Sequence, residues 1–476
     1  IMESSKNSLV VMKFGGSCLQ NKDSYFQITK IVKEYLKSTR VLIVVSAIKG
    51  ITNKLINFYE KSCSEENNCD LLIEEIYEMH IQIVDYILDK ERLEYNESVE
   101  FLQNNIEELK QLGRLIKLIR PSADIYDLVV SYGEKLSNFI LSKYLTSKGY
   151  KSKPIFSDKI IITDDNFGRA LPLLEETEIL VKEKLYPLIK SDTNILICVS
   201  GYYGSTKDNK ISTLGRGGTD LSAAILAYAL RDVFTCKIIY WKDVKGFLNA
   251  DPRIARKTSL IKKISYKEAK ELAFFGTKVL HPLCLDVNEK SEVPSEVRFF
   301  NEPESEDFTT ITKEIVQSDA VIKAITSIEK LSMVTLESDT MVPLSGTASK
   351  LFSLLGANNI NTVFISQSSS ENNITFGIEF EDSMKVSFLL RNSDYFGEKW
   401  FKIKIDHEIS LVSVIGAGIL HTPGLAGRVF TSLGDNQINI KAIAQGSSEL
   451  NFTAIIDREN CKKAVNVLYD TFISKN

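Results

Sequence analysis

Four histidines, two tryptophans and an odd number of cysteines among 476 residues leave little room for several kinds of chemistry. The seven cysteines (Cys18, Cys63, Cys69, Cys198, Cys236, Cys284 and Cys461) show neither a disulfide framework nor a Cys-x-x-Cys zinc spacing, so they read as reduced thiols. No apolar run approaches 18 residues and no charged-then-apolar leader opens the sequence, so the expectation is a cytoplasmic protein that does not engage a membrane. Net charge is only -4 and no arginine-rich tract is present, which argues against nucleic acid as a partner and makes any phosphate-binding site local. What is there, 44% hydrophobic and 25% charged residues, describes a globular chain long enough for two to four domains.

The C-terminal third repeats itself. At a constant offset of 78 residues (433 − 355), Leu355-Gly356 maps to Leu433-Gly434, Ile360-Asn361 to Ile438-Asn439, and Gln367 to Gln445. Ser369-Ser370-Glu371 recurs as Ser447-Ser448-Glu449, and Asn373 and Thr375 recur as Asn451 and Thr453. Each copy reads strand, glycine-containing loop, helix, strand, strand, the βαββ pattern of a small α+β sandwich. Upstream, "LVVMKF", "VLIVVSA", "ILICVSG" and "KIIYWKD" read as buried strands alternating with helices such as 24–37 and 219–231, hence an α/β domain with a largely parallel sheet. Residues 54–118 read as a helical insertion, and the acidic stretch 301–310 marks the boundary. The expected division is 1–305 for the first domain, 326–405 and 406–476 for the two repeats, with 306–325 as a segment that could complete the second.

Five motifs carry polar chemistry. Lys13 ends a strand and is followed by Gly15 and Gly16, which let backbone N–H groups approach a ligand while the lysine supplies a point charge. The spacing of a P-loop is absent. Gly215, Gly217 and Gly218 surround Arg216 and lead into a helix capped by Thr219 or Asp220, an arrangement suited to a carboxylate or phosphate. "YWKDVKGFLNADPR" brings Asp243, Gly246 and Asp251-Pro252-Arg253 to a strand end, "FFGTKVLHP" brings Lys278 to a turn, and "SYGEKLS" brings Glu134. His281 before Pro282 reads as a packing or capping residue. "IGAGIL" at 415–420 lacks the third glycine of a dinucleotide site.

In this order, "KFGGSC", "VVSAIKGITN", "SYGEKLS", "ITDDNFG", "STLGRGGTDLSAA", "WKDVKGFLNADPR" and "ELAFFGTKVLHP" resemble the aspartokinases of the amino acid kinase superfamily. The "SQSSSE" and "AQGSSE" repeats resemble that family's tandem ACT domains, and the whole is most similar to the threonine-regulated branch. The resemblance implies an amino acid kinase-type three-layer α/β domain followed by two α+β ACT domains. It also implies ATP-dependent phosphorylation of the side-chain carboxylate of L-aspartate to 4-phospho-L-aspartate. A carboxylate is already ionised at pH 7 and needs no general base, so catalysis would rest on positioning and charge neutralisation, in keeping with the few histidines.

By the same resemblance, Lys13 and Asp220 are catalytic, Lys13 neutralising the phosphoryl group and Asp220 orienting substrate and lysine. Ser46, Ala47, Thr52, Glu134, Arg216, Gly217 and Thr219 form the aspartate pocket, Arg216 gripping a carboxylate and Glu134 the ammonium. Gly15, Gly16, Ser17, Lys242, Asp243, Arg253, Thr277 and Lys278 join Lys13 around ATP, with Mg2+ carried mostly on ATP oxygens. Asn361, Gln367, Asn439 and Gln445 are the expected contacts of a regulatory amino acid, threonine first and lysine second. A homo-oligomer through the ACT domains, dimer or tetramer, is also implied. The chain departs from the family at Cys18, at Leu248 where an aromatic is usual, and at Lys242 where a threonine is usual. Competing readings are another amino-acid carboxylate kinase of the superfamily and a non-catalytic amino-acid sensor.

Overall fold

The computed structural model describes residues 7–474 apart from 65–68, 120, 256, 276–278, 315–320, 339–345, 368–372, 398–400 and 446–449. The chain forms two compact units, one of Ile1–Phe247, Lys262–Tyr266 and Lys278–Glu314, the other of Leu248–Ile261, Lys267–Thr277 and Ile315–Asn476.

The first unit opens with β1 (Ser8–Phe14), α1 (Lys22–Tyr35) and β2 (Arg40–Val45), then three helices, α2 (Ile51–Cys63), α3 (Cys69–Ile87) and α4 (Leu93–Ile116). Next come α5 (Ala123–Ser147), β3 (Ser152–Ile155), β4 (Ile162–Thr163), α6 (Leu174–Lys184), α7 (Tyr186–Ser191), β5 (Leu196–Ser200), β6 (Tyr203–Thr206) and β7 (Ile211–Thr213). It continues with α8 (Gly218–Leu230), β8 (Thr235–Lys242), β9 (Lys263–Ser265) and the start of α9 (Tyr266–Phe274). It closes with α10 (Pro282–Ser291), β10 (Ser295–Phe299) and β11 (Thr309–Thr312).

Eight strands join in the order β3-β5-β2-β1-β8-β10-β11-β9. Every pairing is parallel except β10 with β11, so the sheet is buried on both faces, as such sheets require. Strand alternation sorts the two faces. Val10, Met12, Phe14, Ile239 and Trp241 enter one core with the apolar stripes of α1 to α5. Leu9, Val11, Lys13, Ile238 and Tyr240 therefore face the opposite side, the side of α8. α5 and α8 are buried over most of their length, which is why neither has a clear polar face and why Asp127, Glu134 and Asp220 sit out of water. The small sheet β4-β6-β7 completes the unit. β11 belongs to the large sheet, so this unit runs past the boundary expected at 305.

In the second unit lie β12 (Ala324–Ser338), α11 (Thr347–Ala357), β13 (Phe364–Gln367), β14 (Asn373–Glu379), α12 (Ser383–Arg391) and β15 (Phe401–Ile415). They are followed by α13 (Leu425–Asp435), β16 (Ile440–Ala444), β17 (Asn451–Asp457) and α14 (Cys461–Phe472). The 78-residue offset reappears in three dimensions. α11 and α13, β14 and β17, and the left-handed N-caps Gly346 and Gly424 (φ 86° and 77°) coincide under it. Each repeat carries one element more than its expected βαββ, the closing helix α12 or α14.

The six strands run β13-β14-β12-β15-β17-β16, with the long β12 and β15 antiparallel at the centre. Leu331 pairs with Ile409, its own repeat equivalent, so a pseudo-twofold axis passes there, at the point where the register shifts. The outer halves of the long strands, Leu331–Glu337 and Ile409–Ile415, pair with β14 and β17 respectively. The strand that completes the second repeat is thus Ala324–Ile328, paired with Leu411–Ile415, and not 306–325 as a whole, because Thr309–Thr312 is taken by the large sheet of the first unit.

Two stretches from earlier in the chain pack into this unit. Ala250 and Ala255 join the core of the second repeat, the Asn249 carbonyl accepts from Ile325 N (2.8 Å), and Asn466 donates to the Ile254 carbonyl (3.2 Å). Glu268 on α9 is fully buried, 2.9 Å from Lys323 Nζ, and accepts from the Ala417 amide (2.8 Å). That amide belongs to the "IGAGIL" turn. No helix among the described residues is long and apolar enough to cross a membrane.

Candidate active site

β1 and β8 are parallel neighbours, with Lys13 opposite Tyr240. Lys242, two residues beyond Tyr240, points to the same face. The first turn of α8 lowers Asp220 onto both lysines. Lys13 Nζ lies 2.7 Å from Asp220 Oδ1 and Lys242 Nζ lies 2.6 Å from Oδ2. All three side chains are 15% exposed or less, so this is a dehydrated cation–anion–cation group with one net positive charge. Burial alone would discharge each member. For Asp220 the two ammonium groups outweigh burial and hold its pKa below the ordinary carboxyl value. For Lys13 burial again opposes the charge, but the Asp220 carboxylate prevails and the pKa is raised. Lys242 goes the other way: burial lowers its pKa by more than Asp220 restores, and Lys13 adds repulsion.

The backbone around Lys13 is shaped for close approach. A Cβ on Gly16 would stand 2.6 Å from the Ala47 carbonyl, and one on Gly15 would stand 3.4 Å from Lys13 Nζ, so the Gly15 position leaves space beside the ammonium. Ser17 follows in a short 3-10 turn (Gly16–Leu19). The Cys18 thiol is buried, approaches the Trp241 carbonyl (3.6 Å), and is pushed up to about 11 by burial.

Glu134 comes from α5. Its side chain is buried, it accepts from the Ala47 backbone, and Oε2 has no hydrogen-bond partner among the described residues. Burial raises its pKa to about 8, only partly offset by that backbone bond and by Lys13. Ala47 and Gly133 interlock, since a Cβ on Gly133 would meet Ala47 Cβ at 2.8 Å. Ser46 caps β2, its amide bonded to the Phe14 carbonyl (3.2 Å), and its hydroxyl accepts from Thr219 Oγ1 (3.4 Å). Thr52 sits half-buried in the first turn of α2. Arg216 is exposed between Gly215 and Gly217, both at positive φ, and has no ion-pair partner among the described residues. Gly217 is required twice over: φ is 76°, and a Cβ would fall 2.5 Å from that of His281. His281 caps α10 by accepting from the Leu283 amide (3.3 Å), the role expected of it.

Other expected site residues are more dispersed. Asp243 is exposed just past β8. Arg253 lies in the second unit, its guanidinium forked onto Asp251 (Nε–Oδ1 3.0 Å, Nη2–Oδ2 2.6 Å). Thr277 and Lys278 lie outside the described residues. Asn361, Gln367, Asn439 and Gln445 are all exposed, Gln367 at the end of β13 and Gln445 just past β16, while the Ser-Ser-Glu runs that follow lie outside the described residues.

Two residues that sequence reasoning passed over complete the surroundings. Asp127, two helical turns before Glu134 on α5, accepts from the Gly168 amide (2.8 Å) and from the Thr213 amide and hydroxyl (2.7 Å each), pinning the strand that leads to the Arg216 loop. Its signal was an acid within an apolar helical stretch. Tyr202 adopts φ 76° with its amide bonded to Ser222 Oγ (3.0 Å); no local pattern marks a tyrosine for a left-handed turn.

The amino acid kinase family model matches residues 8–299, and an ACT domain model matches 334–391 and 412–472. The bifunctional aspartokinase/homoserine dehydrogenase of Buchnera aphidicola is 30% identical over 97% of this chain, which spans 56% of that protein; the chain covers about half the length of the bifunctional relatives it matches. The chloroplastic aspartokinase 3 of Arabidopsis thaliana is 29% identical over 99% of this chain and 82% of its own. Among solved structures, Escherichia coli aspartokinase III in complex with aspartate and ADP superposes with a TM-score of 0.81 at 25% identity, covering 98% of this chain and all of that one. With the family model spanning both the buried lysine–aspartate group and Glu134, this chain belongs to the amino acid kinase family and carries ACT domains after its kinase fold.

Proposed function

We propose that the chain is an aspartate kinase that phosphorylates the side-chain carboxylate of L-aspartate with ATP and is restrained by an end-product amino acid. The observation that carries this reading is the pairing of a buried cationic group with a buried carboxyl whose one oxygen lacks a partner. Glu134 Oε2 is suited to an α-ammonium group, because a buried acceptor without a donor is costly until a cation meets it. The same feature speaks against an N-acylated substrate, which brings no charge there. Arg216, exposed on its glycine loop, supplies fork donors for a carboxylate.

Gly15 leaves room beside Lys13 for a phosphate, while Gly16 lets its segment lie against Ala47 and Lys49; ATP would supply the phosphoryl group there. The attacking carboxylate oxygen forms the new P–O bond as the bond to the ADP oxygen breaks, and no proton moves. Lys13 offsets the charge that shifts toward ADP, while Thr219 and Ser46 hold the substrate side of the pocket. Mg2+ is assigned to the nucleotide oxygens and to no residue of this chain. Threonine is the favoured effector and lysine the runner-up, with Gln367 and Gln445 as contacts. Assembly through the ACT domains is part of the same reading.

Incubation with ATP, Mg2+, L-aspartate and hydroxylamine is expected to give aspartyl hydroxamate, and N-acetyl-aspartate is expected to give none. Absence of product from aspartate with effector removed would overturn the reading. Titration calorimetry with threonine and lysine separates the two effectors.

A further inference from the structure

We propose that Lys242 is a positioning residue: it keeps Asp220 neutralised so that Lys13 can turn from that carboxylate to the phosphoryl group in transit. This rests on the kinase reading above.

Three observations carry it. The two oxygens of Asp220 are divided between the two lysines, Oδ1 toward Lys13 and Oδ2 toward Lys242, so loss of one partner leaves the other in place. The Asp220 side chain is only 5% exposed, which makes an unpaired carboxylate expensive. With Lys13 as its sole counter-ion, Asp220 would compete with any phosphate for that ammonium. Finally, Gly15 carries no side chain where a Cβ would stand 3.4 Å from Lys13 Nζ, which leaves room for about one methyl-sized group beside the ammonium. Lys242 reaches the other oxygen of Asp220 from the last residue of β8.

Lys13 on β1, Asp220 on α8 and Lys242 on β8 carry the charge at this point, and they are faced by the thiols of Cys284 on α10 and Cys18, both pushed up by burial and neutral, by the Tyr240 hydroxyl on β8, by His281 at the start of α10 and by Glu134 on α5. Lys242 loses its proton below the ordinary lysine range and Lys13 above it. As pH rises, Lys242 discharges first, Asp220 retains Lys13, and turnover falls while Lys13 is still charged.

The test is the pH–rate profile of the full chain by the hydroxamate assay, for the parent and for Lys242→Met and Lys242→Arg. Parent activity tests the kinase reading by itself; the variants relative to the parent test Lys242. Lys242→Met is expected to lower kcat about 100-fold with KM for aspartate within about threefold. Lys242→Arg is expected to recover much of that loss and to move the alkaline fall upward by about one pH unit or more, since a guanidinium stays charged there. A Lys242→Met enzyme within about twofold of the parent kcat, or a Lys242→Arg enzyme whose alkaline fall stays put, overturns the proposal. Should Lys242→Met fail to fold, as judged by its melting curve, the Lys242→Arg profile decides alone.

Discussion

At the scale of single residues, Glu134 shows how burial, against a backbone bond and the Lys13 charge, can set a working pH. With its carboxyl raised to about 8, the free protein holds a largely neutral acid at pH 7 that must ionise to meet an ammonium group. The sign follows directly: kcat/KM for aspartate should rise with pH toward a plateau above about 8, and Glu134→Gln should lower it roughly 100-fold and flatten that limb. An unchanged profile in Glu134→Gln would remove the residue from substrate recognition. Gly217 makes a conformational prediction instead. Gly217→Ala asks an L-residue to hold φ 76° against His281, so we expect a loss of about 1–2 kcal/mol from backbone strain before any clash, read in urea melts, together with a raised KM from a displaced Arg216 loop.

At the scale of elements, the buried pair of Lys323 and Glu268 deserves a direct stability test. Lys323→Met removes an ammonium partner from a fully buried carboxylate that also accepts from the Ala417 amide, and should cost the second unit about 1.5–3 kcal/mol; urea denaturation followed by circular dichroism reads this out. That pair was invisible beforehand, because Glu268 and Lys323 are 55 residues apart and neither breaks a local pattern. By contrast, β1, β2, β5 and β8, with the helices α1 and α8, were legible, since buried parallel strands leave unbroken β-branched runs. So was the duplication, because its offset holds without a gap. The closing helix α12 was not. Val386 and Leu390 face the core, but Met384 and Phe388 are 83% and 67% exposed on the same helix, which blurs the 3.6-residue stripe.

The candidate site divides along the same line. Lys13 lies at the end of its strand as its motif implied and Glu134 lies inside α5, whereas Thr219 and Asp220, expected to cap α8, sit in its first turn behind the N-cap Gly217, which makes no side-chain cap. Lys242 went beyond what its motif implied: read as a nucleotide contact, it is an ion-pair partner of Asp220, a fact that depends on β1 and β8 being neighbours with Lys13 opposite Tyr240. Arg253, expected around the nucleotide, is forked onto Asp251 two residues away, a local pairing its motif did not imply.

At the scale of the molecule, the two repeats share an architecture that makes effector binding measurable as stability. An amino acid that binds only the folded second unit should raise its stability by about 2.7 kcal/mol at one hundred times its dissociation constant. We expect threonine to raise the melting temperature and Gln367→Ala to reduce that rise; an unchanged shift in Gln367→Ala with a lost shift in Gln445→Ala would transfer the role to the second copy.

The crossing of β12 and β15 also decides what can be separated. Each long strand serves one repeat with one half and its neighbour with the other. A chain severed between α12 and β15 would therefore leave two halves that each lack a strand and expose a sheet edge, neither able to stand as an independent module. Mixed together, they have the complementary edges to rebuild one body, so the duplication has become an obligate partnership inside a single polypeptide.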